Sequence, residues 1–142
     1  MPDILGLSIS DLSCDEAVNQ ISNLLNKPGK HLVLTANPEI LVSSFFNKDL
    51  YQLFKKADLI LADGFGLILA ATYLGTPIKK GRVTGVELLK RICQKSYDLG
   101  FKIFLTGADE NILDFATQRI KEKYNNVNIV GYKKGPIFSI NN

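Results

Sequence analysis

The stretch LADGFGLILAATYLG, residues 61–75, decides how this chain is read. The run "DLILA" that leads into it is short and apolar, as a buried strand is, and "FGLILAATYL" reads as a helix stopped by "GTP". An acid and a glycine, Asp63 and Gly64, stand at the junction, where a plain turn would serve.

Outward from that junction the same alternation repeats. Upstream, "ILGLSIS" reads as a short strand, and "SCDEAVNQISNLLNK" as a helix with a Ser13/Glu16 capping box. "HLVLTA" is a strand, and "NPEILVSSFF" a helix with Asn37 as cap and Pro38 at its first position. "DLYQLFKKA" is a further short helix. Downstream, "TGVELLKRICQKSYDLG" is an amphipathic helix ending at Gly100. Strand "FKIFLTG", helix "ADENILDFATQRIKEKY" and strand "NVNIVGY" follow, and "KKGPIFSINN" trails off without a closing helix. Strands alternating with helices predict an α/β fold: a doubly wound, mostly parallel, Rossmann-like sheet with helices on both faces.

Composition supports that reading. The 142 residues are 46% hydrophobic and 22% charged, which suits a single domain over residues 1–142. The net charge of +3 comes largely from Lys79–Lys80–Arg82 and Lys133–Lys134, read as solvated surface or as a seat for a nucleotide phosphate or a lipid headgroup. A nucleic-acid partner is not expected. Cys14 and Cys93 are far apart, and the one histidine is His31, so no zinc site is expected and a reducing, cytoplasmic setting fits. The sequence shows no signal peptide and no apolar run near the ~20 residues that span a bilayer.

In open α/β sheets ligands bind beyond the carboxyl ends of the strands. Three strand ends carry polar groups followed by a helix start: Thr35 and Asn37, Asp63 with Gly64 and Gly66, and Thr106 with Gly107 and Asp109. Asp63 is read either as a helix cap or as a general base in a mostly apolar cleft, its pKa raised by desolvation. Asn37 is read as a cap or a ligand contact, and Thr35 as a ligand contact or a local backbone partner. Arg82, on the loop before "VTGVELL", is read as solvated or as a diphosphate clamp. There is no GxGxxG, no GxxxxGK[ST] and no Asp-x-Asp pair for a divalent metal, so no cofactor is expected.

These pieces, in this order, resemble the WecG/TagA/CpsF family of bacterial glycosyltransferases. The resemblance rests on "LTANPEIL", "ADLILADGFGLILA", "GRVTGVELL" and "FLTGADENILDFATQRIKEKYNNVNIVGYKKGPI", and covers about residues 3–138. It implies an inverting, metal-independent transferase, cytoplasmic and peripheral to the inner face of the membrane. Such enzymes move an N-acetylmannosamine-type sugar from a UDP donor to undecaprenyl-diphosphate-linked N-acetylglucosamine, for teichoic acid or a related polymer. By position the resemblance implies Asp63 as catalytic base and Thr35 as substrate-positioning residue. It places Asn37 beside them, Arg82 on the diphosphate, and Gly64, Gly66 and Gly107 along the pocket. Family members continue with a strand ending in a Gly-x-Pro-Lys-Gln-Glu-like motif and a basic, apolar appendage, whereas this sequence ends at "SINN". A truncated, inactive nucleotide-sugar-binding or subunit-interaction module is therefore the alternative expectation. Self-association is also expected, because an unfinished sheet leaves an edge to be covered.

Overall fold

The computed structural model describes residues 1–107 and 109–135. It shows a mixed α/β chain that divides into two compact units, Met1–Arg91 and Ile92–Asn142.

In the first unit, "ILGLSIS" is not one strand. Asp3–Ile4 (β1) and Leu7–Ser8 (β2) pair antiparallel across a turn in which Leu5 and Gly6 have φ of 55° and 74°. Positive φ at both central positions matches the twist of a tight hairpin, and Gly6 satisfies it without strain. The alternation in "ILGLSIS" is the same for one strand or two, so only the glycine signalled the reversal. Chain direction is restored at Ser10, which bridges Leu61 in parallel and donates its N–H to the Ile60 carbonyl at 2.7 Å.

Helix α1 (Cys14–Leu25) starts with the expected capping box: the Ser13 hydroxyl accepts from the Glu16 N–H, and the Glu16 carboxylate accepts from the Ser13 N–H. Strand β3 (Val33–Ala36) then pairs in parallel with β4 (Leu59–Ala62), with Thr35 opposite Leu61 and Ala36 opposite Ala62. Helices α2 (Pro38–Phe46) and α3 (Lys48–Lys55) lie between them in sequence. Ile60, Leu61 and Ala62 are all buried. Neighbouring strand residues point to opposite faces, so consecutive burial means that β4 is covered on both sides. Its core partners include Ile9, Leu41, Phe54, Leu67 and Ile78.

The far end of this strand pair is clamped by Asp58. Its carboxylate accepts the Leu32 N–H at 2.8 Å and contacts His31 Nδ1 at 3.0 Å. The Leu32 N–H, and then His31, hold the Asp58 carboxyl below its usual range. His31 thus serves the amino end of the strand pair, the end opposite Asp63.

Helix α4 (Phe65–Tyr73) follows β4, and α5 (Gly85–Lys95) follows the loop bearing Lys79, Lys80 and Arg82. That loop is tied down. The backbone N–H groups of Lys79 and Lys80 donate to Asp11, and the Lys80 ammonium pairs with Glu16. The Lys80 hydrogen bond, supported by the Ser13 N–H, lowers the Glu16 carboxyl from 4.5 to about 2. A pKa lowered on folding adds stability above the unfolded value, and that stability is lost as pH falls from 4.5 toward 2. The urea midpoint of Glu16→Gln should therefore fall less than that of the parent protein between pH 5 and pH 3; equal falls would show that the pair does not contribute.

In the second unit, strand β5 (Ile103–Thr106) pairs in parallel with β6 (Ile129–Lys133), and α6 (Glu110–Lys123) packs against both. The helix read as running to Gly100 stops at Lys95. Residues 96–100 form turns closed by Phe101 N–H to the Ser96 carbonyl at 2.8 Å, with Gly100 at φ 67°. Lys134 pairs with Asp109 at 2.9 Å. Each basic cluster therefore has one lysine already neutralised by an acid. The trailing segment from Pro136 onward lies outside the described residues.

Candidate functional site

The carboxyl ends of β3 and β4 feed two helix starts side by side. After β3, the Asn37 side chain caps α2, accepting the Ile40 N–H at 2.8 Å, with Pro38 at the first helical position. This is the routine role weighed for Asn37 from sequence, and it holds α2 at the rim of the site. After β4, the Asp63 N–H donates to the Ala36 carbonyl at 2.8 Å, so the strand pairing continues one residue past the strand end.

Asp63 does not cap the helix it precedes. The cap position of α4 is Gly64, with φ 132° and ψ 142°, and no side chain satisfies that helix start. The half-buried Asp63 carboxylate turns instead to α5: Oδ2 accepts the Gly85 N–H at 3.2 Å. Thr84 caps α5, its hydroxyl accepting the Glu87 N–H at 3.1 Å and its carbonyl the Leu88 N–H at 2.9 Å. The loop that delivers Thr84 is fixed to the sheet by the Val83 N–H, which donates to the Ala62 carbonyl at 2.8 Å.

Thr35 joins the same cluster through Gly85. A Cβ on Gly85 would sit 3.3 Å from Thr35 Oγ1, so the start of α5 rests against that hydroxyl. Asp63 and Thr35, paired from sequence, are thus gathered around one glycine. Arg82 is exposed on the loop entering α5, three positions before Gly85.

Gly64 and Gly66 have different reasons to be glycine. Gly64 has a backbone conformation that side chains strongly disfavour. Gly66 lies within the first turn of α4 rather than in a turn along the pocket, and a Cβ there would come 2.8 Å from Pro38 Cγ. The missing side chain lets α2 and α4 approach closely. Pro38 and Gly66 also line an apolar groove of about 300 Å³ that extends to Leu41, Leu67 and Tyr73. A larger hollow of about 420 Å³, lined by Phe45, Lys48, Tyr51 and Gln52, lies at the other end of α2 from Asn37.

In the second unit, Gly107 has φ 124° at the end of β5, and Gly135 presses on it: a Cβ on Gly135 would lie 2.8 Å from Gly107 Cα. Among the described residues no group of three or more His, Cys, Asp or Glu side chains could hold a metal ion.

Sequence reasoning missed Gly85 and Thr84. The signal was present, since "TGVE" places threonine three residues before glutamate ahead of an apolar run, the pattern of a helix start. No local rule, however, says that the first N–H of one helix will go to an acid 22 positions earlier.

A carboxylate and a hydroxyl both set against Gly85, where two parallel strands end and helices begin, make this end of the α/β unit the candidate ligand site. A profile of the glycosyl transferase WecG/TagA/CpsF family matches residues 2–142. The chain belongs to that family. It is similar to the N-acetylglucosaminyldiphosphoundecaprenol N-acetyl-beta-D-mannosaminyltransferase of Bacillus spizizenii, 28% identical over 103 residues, covering 72% of this chain and 40% of the relative. The protein of that name from Staphylococcus aureus strain NCTC 8325 is also 28% identical, over 127 residues covering 88% of this chain and 50% of the relative. The chain thus spans half or less of the length of these curated relatives.

Proposed function

We propose that the protein transfers N-acetylmannosamine from its UDP conjugate to undecaprenyl-diphosphate-linked N-acetylglucosamine, with Asp63 as general base. The acceptor hydroxyl oxygen attacks the anomeric carbon, its proton passes to the Asp63 carboxylate, and the bond to UDP breaks with the electron pair leaving on the diphosphate. Attack opposite the leaving group inverts the anomeric centre. Thr35 orients the acceptor and Arg82 offers its planar fork to the diphosphate without a metal. Gly64 leaves room for the donor, and Asn37 and Gly66 shape the rim.

The observation that carries this reading is the Asp63 carboxylate, held by Gly85 beside Thr35, in a chain of this family. The family and the names of the relatives support the donor sugar and acceptor. The alternation of strands and helices supports a doubly wound sheet as the full architecture. No helix among the described residues is long and apolar enough to cross a membrane, while Phe45, Phe46, Phe65, Leu69 and Tyr73 are exposed on α2 and α4. Those exposed apolar side chains support peripheral membrane contact or self-association.

The test is UDP release from UDP-N-acetylmannosamine in the presence of the lipid-linked acceptor. Acceptor-dependent release is expected, and none at all would overturn the assignment. The alternative reading is a module that binds the nucleotide sugar without turning it over. Calorimetry with UDP separates the two: heat of binding without turnover identifies the module.

A further inference from the structure

The geometry points to Gly85 as a positioning residue: its backbone N–H aims the Asp63 carboxylate, and its missing side chain keeps that N–H beside Thr35. This inference rests on Asp63 being the base. Three observations lead to it. The Gly85 N–H donates to Asp63 Oδ2 at 3.2 Å, and a Cβ at residue 85 would crowd Thr35 Oγ1 at 3.3 Å. The φ of Gly85 is not among the positive values seen at seven other glycines, so no turn requires glycine here.

Gly85 is the first residue of α5, and the first N–H groups of a helix have no partner within it. Thr84 answers the Glu87 N–H, which leaves the Gly85 N–H to Asp63. The donor is fixed twice, by the helix and by the Val83 to Ala62 hydrogen bond on the loop before it. One carboxylate oxygen is thereby committed to α5, and the other is the oxygen that takes the proton. A hydrogen bond from a rigid donor stops the carboxylate from rotating away from the acceptor hydroxyl, a placement on which reaction rates depend steeply.

Proline tests this because the first helical position tolerates it: its fixed φ suits a helix, and the N–H that it lacks is not part of the helix ladder. Gly85→Pro removes the donor, and Gly85→Ala adds the same Cβ while keeping it. The Gly85→Pro kcat is expected ~10–100-fold below that of Gly85→Ala, with donor KM unchanged within ~2-fold. In an Asp63→Asn background the Pro and Ala variants should turn over equally, since the group being aimed is gone. A backbone ester at residue 85 removes the N–H without adding an atom, and should reproduce the proline effect if the proline variant folds poorly. Equal kcat for the Pro, Ala and ester variants would overturn the inference while leaving the base in place. A proline penalty that persists in Asp63→Asn would show a merely structural role. Full turnover by Asp63→Asn alone would instead overturn the reading of the base.

Discussion

Gly64→Ala is expected to destabilise the protein by ~1–3 kcal/mol, read as a lower urea midpoint at unchanged slope. The cause is backbone strain, not crowding. At φ 132° and ψ 142° an L side chain meets its own backbone, whereas the nearest outside atom to the added Cβ, Pro38 Cδ, is at an ordinary 3.5 Å. Gly66→Ala is a useful contrast, because its Cβ would lie 2.8 Å from Pro38 Cγ and α2 and α4 would have to part. A Pro38→Ala change should therefore relieve Gly66→Ala and leave Gly64→Ala as costly as before. If relief were equal at both positions, strain at Gly64 would not be the explanation. Gly64 is also the residue after Asp63, so relaxing its backbone would turn the carboxylate away from Gly85.

Asp63→Asn is expected to lower kcat by ~10²–10⁴-fold, the usual share of a positioned base and equivalent to ~3–5 kcal/mol of barrier. The amide keeps the size of the carboxylate, and its oxygen still accepts the Gly85 N–H, so the thermal midpoint should stay close to that of the parent protein. What it lacks is an oxygen basic enough to take the proton of the acceptor hydroxyl. A loss of activity matched by a loss of fold would point to a structural role for Asp63. A loss with the fold intact points to chemistry.

The parts of the fold written in local patterns were legible in the sequence. The Ser13/Glu16 capping box, the Asn37 cap with Pro38 behind it, and the apolar strands "HLVLTA" and "DLILA" depend on neighbours a few residues apart. Two features were not legible for want of such neighbours. The hairpin at Leu5 and Gly6 looks like a continuous strand, because alternation survives a two-residue turn. The end of α5 at Lys95 was masked because "SYDLG" continues the amphipathic pattern, although residues 96–100 turn back on themselves.

The candidate site divides in the same way. Asp63 and Thr35 stood out as polar groups at the ends of apolar strands, and the parallel register of β3 and β4 brings those ends together. What sequence alone left open was whether Asp63 caps its own helix. The structure answers that the partner is Gly85, a long-range hydrogen bond that no spacing rule describes. Gly66 shows the converse, where a motif glycine proves to serve helix packing against Pro38.

The most direct test of the account compares Asp63→Asn with the parent protein in one assay, following UDP released from UDP-N-acetylmannosamine with lipid-linked acceptor and, separately, the heat of UDP binding. Undiminished UDP binding is expected, with turnover reduced at least ~100-fold. Turnover equal to that of the parent protein would contradict it.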